Sequence, residues 1–223
     1  MPGGRRIVPV GSMGSRMQGA TCLYVLPCAH EDHVKLGIAG DPLTRMLAFS
    51  PRYFEFFDLD AGWLLEAGTE KEARGWETAL KRRLRAHAAP APLLVPDRAG
   101  GRTEWLRGAT SQLSAWRDEQ AAQGFVLHAP LRGWVRQRLL QAHERWRHGV
   151  QALLDRFGPA DYWPPATDSA PLRLLRDAMD AQVALDAMPL DDDFPGLRAW
   201  HRRNSLVPPP APRWSDAQAR LPE

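Results

Sequence analysis

The sequence predicts an α+β protein in which a small antiparallel sheet opens the folded chain and helices complete it. Three observations carry this expectation. Two short β-type runs, Thr21 to Pro27 and His33 to Ala39, flank a polar stretch of turn length and read as an antiparallel hairpin. Thr69-Glu-Lys-Glu72 is a capping box that opens an apolar stripe at helical spacing. From Leu131 onward the apolar residues keep a helical period, which predicts an α-helical C-terminal extension.

In chain order, residues 1–19 are rich in Gly, Arg, Ser and Met without periodicity and read as a flexible leader. The hairpin follows, turning through Cys28-Ala-His-Glu-Asp32. Asp41 then supplies an N-cap and Pro42 the first helical position of a helix through Leu43, Met46 and Leu47. The aromatic-rich stretch Tyr53 to Leu59 and the run Trp63 to Glu66 read as one more strand, or two, around a turn at Asp60-Ala-Gly62. The helix opened at Thr69 buries Ala73, Trp76, Leu80 and Leu84. At about 100° per residue Glu77 lies only about 20° around that helix from Leu84, so an acid points toward the interior. A Pro, Ala and Gly loop over 88–101 precedes Thr103-Glu-Trp-Leu106 and a helix through Gln120.

A compact first domain is thus expected over 20–122 and a helical extension over 123–204. In the extension one long helix carries apolar residues at 131, 135, 139, 142, 146, 150, 153 and 157, and a second covers Pro171 to Met188. Asp191-Asp-Asp193 reads as an acidic turn and 205–223 as a Pro-rich tail.

Composition narrows the function class less than the pattern does. Hydrophobic residues make up 44% and charged residues 25%, the balance of a folded globular chain rather than a disordered one. No apolar stretch approaches the roughly 18 residues that span a bilayer, and Met1 to Gly19 lacks the apolar core of a signal peptide. A cytoplasmic protein with reduced Cys22 and Cys28 and no membrane contact is expected. Cys28, His30 and His33 make three ligands on paper, but a fourth is not evident. The net charge is +3, and only Lys35, Lys71 and Lys81 are lysines, so nearly all positive charge sits on arginine, whose fork matches phosphate geometry.

A hairpin closing symmetrically about residue 30 sets Tyr24 almost opposite Lys35 on one sheet face. Lys35, Gly37 and Ala39 share that face, which is small apart from one long cation. Arg45 and the inward Glu77 complete a set of phenol, amine, guanidinium and carboxylate. Glu77 can alternatively serve as an internal salt-bridge partner of Arg45.

In order, Leu23-Tyr-Val25, Val34-Lys-Leu-Gly-Ile38, Asp41-Pro-Leu-Thr-Arg45, Glu72-Ala-Arg-Gly-Trp-Glu77 and Gly101-Arg-Thr-Glu-Trp105 resemble the motifs of a GIY-YIG endonuclease domain. The match is to the branch typified by phage T5orf172 domains, which carries a lysine in the second motif. It covers about residues 20 to 110. Cys22 stands where the first motif has glycine. The resemblance implies a three-stranded antiparallel sheet flanked by helices, and hydrolysis of DNA phosphodiesters with Mg²⁺ or Mn²⁺. It implies Tyr24, Lys35, Arg45 and Glu77 as catalytic residues, with Glu77 as the metal ligand. In that scheme Tyr24 relays the proton of an attacking water, Lys35 lowers its pKa and Arg45 clamps phosphate oxygens. Glu104 and Trp105 match a Glu-Trp pair of the family. Arg82, Arg83, Arg132 and Arg136 are candidate contacts to the DNA backbone. The helical extension is a candidate surface for DNA, a second copy of the chain or another protein. The alternative is a catalytically silent DNA-binding or protein-interaction module of the same fold.

Overall fold

The protein is described by a computed structural model covering residues 21–187 and 194–208. The leader, the acidic turn and the tail beyond residue 208 lie outside the described residues. The hairpin forms strands β1 (Cys22–Pro27) and β2 (Val34–Ala39), and β3 is Trp63–Glu66. Three two-residue strands, β4 (Ala88–Ala89), β5 (Trp105–Leu106) and β6 (Leu127–His128), join them in an antiparallel sheet of order β4-β5-β2-β1-β3-β6.

The expected small three-stranded sheet is therefore corrected to six strands. A two-residue strand displays no alternation that sequence could reveal. Its pairing arises because the outer edges of β2 and β3 carry backbone groups that need partners once folded.

The hairpin register also departs from the expected one. The Cys28 N–H donates to His33 O at 2.8 Å, so the ladder closes around the four residues 29–32, half a residue later than assumed. Tyr24 consequently faces Gly37, and Lys35 faces Leu26. Tyr24 and Lys35 remain on one face as diagonal neighbours.

Helix α1 is Pro42–Phe49, with Asp41 Oδ1 accepting from the Thr44 N–H at 3.2 Å as its cap. The stretch expected as a strand at Tyr53 to Leu59 instead begins with a short helix, α2 (Tyr53–Phe56). The buried Tyr53 and Phe57 are four residues apart, and Arg52 Nε donates to Glu55 Oε2 at 2.6 Å. Helical spacing thus outweighs aromatic β-propensity here. Helix α3 is Glu70–Arg83; Thr69 Oγ1 accepts from the Glu72 N–H at 3.1 Å, and Glu72 reaches back to the Gly68 N–H at 2.7 Å.

Helix α4 (Thr110–Ala122) is followed by two helices where one was expected: α5 (Leu131–Gln141) and α6 (His143–Phe157) meet at Ala142. The apolar period runs through both and hides the break. Leu131, Trp134 and Val135 face the sheet side, whereas Val150 joins a separate helical core. Helix α7 is Ala170–Ala184, and α8 (Pro195–Asn204) was not anticipated.

The two sheet faces are covered by different helices. Cys22, Tyr24, Leu26, Leu64 and Trp105 pack with α1, α2 and α5. Leu23, Val25, Val34, Leu36 and Trp63 pack with α3 and α4, where burying Leu80 and Leu84 contributes roughly 1.5–3 kcal/mol each. Trp163, Leu172, Met179 and Trp200 form the core of the extension. Arg52 links it to the first domain through Asp177 at 3.0 Å and Asp180 at 2.7 Å. Among the described residues no helix is long and apolar enough to cross a membrane.

Candidate active site

Strand alternation sends Tyr24 and Lys35 to the α1 side of the sheet, and the capped start of α1 brings Arg45 over the same spot. The Tyr24 ring lies against Gly37: a Cβ there would sit 2.5 Å from Tyr24 Cζ. Only a glycine leaves room for the phenol. The Arg45 guanidinium stacks over Phe49, 4.6 Å from the ring centroid, and its Nη1 donates to Ala99 O at 2.5 Å.

Lys35 is 1% exposed. Its Nζ donates to Gly101 O at 2.7 Å and to Glu104 Oε2 at 2.9 Å. It also lies 5.6 Å from the ring centroids of both Phe49 and Trp105. The second Glu104 oxygen accepts from Lys81 at 3.2 Å and from Thr103 Oγ1 at 2.9 Å. Gly101 marks the point of convergence. A Cβ on it would lie 2.8 Å from Arg45 Nη2, 2.9 Å from Lys35 Nζ and 3.2 Å from Glu104 Oε2. Gly100 and Gly101 both take φ of +63°, a backbone state that favours glycine and lets the loop turn across the cations.

The electrostatics depart from the expected scheme. Burial raises the Tyr24 hydroxyl above the ordinary phenol value. Hydrogen bonding and charge from Arg45 pull the other way, while Glu77 and Glu104 add to the rise. The cation acting on the phenol is Arg45, not Lys35, and at neutral pH the hydroxyl keeps its proton. Burial lowers Lys35, opposed chiefly by Glu104. Burial also pushes Glu104 up, but the hydrogen bond and charge of Lys35, with Thr103 and Lys81, more than offset this and hold its carboxyl at about 2.

Glu77 projects half-buried from α3, near enough to act on Tyr24 and Lys35 through charge. It forms no salt bridge with Arg45, and among the described residues no hydrogen bond or ion pair engages its carboxylate. A Mg²⁺ or Mn²⁺ ion fits this donor set in one way. Glu104 is committed to two lysines, whereas Glu77 offers a single open carboxylate. One carboxylate suffices for Mg²⁺, which keeps several waters and takes further oxygens from phosphate. Among the described residues no group of three or more His, Cys, Asp or Glu forms an alternative metal cluster.

The candidate backbone contacts divide. Arg82 and Arg83 are exposed on α3. Arg132 and Arg136 are partly exposed and already hydrogen-bonded within the fold. Arg132 holds Asp60 through two bonds of 2.8 and 3.0 Å, and Arg136 donates to Asp186 O at 2.8 Å. Both anchor α5 to neighbouring turns.

Sequence reasoning missed the two loop carbonyls, Ala99 O and Gly101 O, and the bridging role of Lys81. The Gly100-Gly101 pair was the only local signal for the first, and nothing local reveals the second. Comparison with protein-family models, with curated proteins and with solved structures gives no match.

Proposed function

We propose that the chain is a divalent-metal-dependent endonuclease that hydrolyses DNA phosphodiester bonds. The observation that carries this reading is the meeting of Lys35, Arg45 and Glu104 around Gly101, with the Tyr24 hydroxyl hydrogen-bonded to Arg45 and the open Glu77 carboxylate at electrostatic range. Glu77 is the residue to hold Mg²⁺ or Mn²⁺, and such an ion supplies charge neutralisation at the phosphate. Arg45 orients a phosphate oxygen with its planar fork. Tyr24, protonated at neutral pH, donates a hydrogen bond to the developing charge rather than accepting a proton. Lys35 is a positioning residue: from its buried seat it fixes Glu104 and the backbone of Gly101.

The test is nicking of supercoiled plasmid in Mg²⁺ or Mn²⁺ by the full chain. Nicking that disappears in Glu77→Ala is the expected result, and equal nicking by that variant overturns the assignment of Glu77. One observation favours a second reading, a silent DNA-binding or interaction module of this fold. Lys35 and Arg45 already spend donors on the carbonyls of Gly101 and Ala99. Calorimetry showing no uptake of Mg²⁺ or Mn²⁺ with DNA present selects that reading.

A further inference from the structure

Among the described residues some cations are paired within the fold, while exposed cations without an ion-pair partner occur on several elements. Arg52, Arg132, Arg136 and Arg176 are held by carboxylates of the fold. The outer face of α3 is different. Lys71, Arg82 and Arg83 are exposed and have no ion-pair partner among the described residues, and Arg74 has only the solvent-exposed Glu70, at 2.6 Å. An exposed helical pair of this kind is weak and easily exchanged for another anion.

Spacing turns these cations into a track. Lys71, Gly75, Thr78 and Arg82 recur at intervals of four, three and four, which sets them on one stripe of the helix. A shallow groove follows that stripe, lined by Lys71, Arg74, Gly75, Thr78, Ala79 and Arg82. A second depression continues from Ala79 and Arg82 to Leu80, Arg83 and Trp116. Neither is lined by an acidic residue. Gly75 and Ala79 keep the floor low, and a Cβ on Gly75 would meet nothing within 4 Å. The stripe from Lys71 to Arg82 runs about 16 Å at 1.5 Å per residue. That length matches several phosphates of one DNA strand, which come about every 3.4 Å along the duplex axis. Between this stripe and Glu77, on the same helix, stand Arg74 and Lys81.

We infer that the outer face of α3 is a phosphate track that holds the DNA backbone, with Lys71, Arg82 and Arg83 as its principal contacts and Arg74 and Thr78 beside them. It rests on the endonuclease reading for its choice of DNA as the polyanion. The α5 arginines differ in that Arg132 and Arg136 also hydrogen-bond to turns of the fold, through Asp60 and the Asp186 carbonyl.

The test is fluorescence anisotropy of a labelled DNA duplex with the full chain in EDTA, titrated over a range of salt concentrations. The triple variant Lys71→Ala/Arg82→Ala/Arg83→Ala is compared with Arg132→Ala/Arg136→Ala. In the triple variant affinity falls by about tenfold or more at low salt, and the slope of log affinity against log salt shrinks by about 2.7, near 0.9 for each lost phosphate contact. The α5 pair leaves the slope unchanged. Arg82→Lys/Arg83→Lys, which keeps charge, retains the wild-type slope and so separates lost contacts from misfolding. An unchanged slope in the triple variant overturns the track, as does an equal loss in the α5 pair. Plasmid nicking is scored separately. Loss of binding in the triple variant without nicking by any form keeps the track and removes the endonuclease, and nicking with an unaltered slope does the reverse.

Discussion

Replacing Glu104 by glutamine removes one charge and very little volume, and it isolates what the Lys35–Glu104 pair contributes to the site. Lys35 is 1% exposed and Glu104 19% exposed on their side chains, at a separation of 2.9 Å. At an effective dielectric near 20 the direct attraction is about 6 kcal/mol, much of it offset by the desolvation of both groups. Removing only one partner of such a pair typically costs about 3–5 kcal/mol, because the other charge stays buried. For Glu104→Gln we expect about 2–4 kcal/mol, since the amide oxygen still accepts from Lys35. For Lys35→Met we expect about 1–3 kcal/mol, since Glu104 keeps Lys81 and Thr103. The double variant should lose much less than the sum, with a coupling near 2 kcal/mol in urea unfolding.

Acid unfolding supplies an independent arm of the same experiment. The folded carboxyl of Glu104 lies at about 2 against an ordinary 4.5, so the unfolded chain binds the proton more readily between these values. Its stabilisation is complete above about 4.5 and is lost as pH falls toward 2. Discounted for solvent screening, that loss is about 2 kcal/mol, and it is absent from Glu104→Gln. Additive single and double variants, within about 0.5 kcal/mol, refute the reasoning, as does an unchanged acid limb.

Three further outcomes follow from the packing. Gly37→Ala drives a methyl into the Tyr24 ring and should cost about 1–3 kcal/mol by thermal unfolding, and clearly less in a Tyr24→Ala background; equal costs in both backgrounds contradict the close approach. Asp180 is fully buried and accepts from Arg52, His201, Ser205 Oγ at 2.6 Å and the Leu206 N–H at 3.1 Å. Asp180→Asn should cost about 3–5 kcal/mol and speed hydrogen exchange in α8, whereas unaltered α8 exchange argues against Asp180 as the joint. Burial, helped by the charges of Glu66 and Glu31 respectively, pushes the Cys22 and Cys28 thiols up to about 12. At pH 8 both should resist alkylation in the folded chain and react in urea, and mass spectrometry showing rapid native labelling defeats that expectation.

Much of the first domain is local and therefore legible. Asp41-Pro42 and Thr69 with Glu72 carry their helix starts in their own side chains, and period-two alternation groups Lys35 with Gly37 and Ala39, although the register that sets Tyr24 opposite Gly37 comes from the folded hairpin. The half-buried position of Glu77 follows from its distance to Leu84 along a helix that the capping box begins. These features depend on residues within a few positions of one another, so a linear reading reaches them.

What tertiary structure alone decided is the state of those same groups. Lys35 meets Glu104 across 69 positions, Arg45 meets Ala99 across 54, and Arg132 meets Asp60 across 72. No local pattern encodes such pairings. They turned Lys35 from a lone strand cation into a buried anchor and gave Arg132 a carboxylate partner, while burial raised the Tyr24 hydroxyl. They also left Lys71, Arg82 and Arg83 as open charge. Sequence names the chemical groups and their faces because backbone periodicity is local. Which charges are spent and which stay available depends on solvent exclusion and long-range contact, and those exist only in the folded chain.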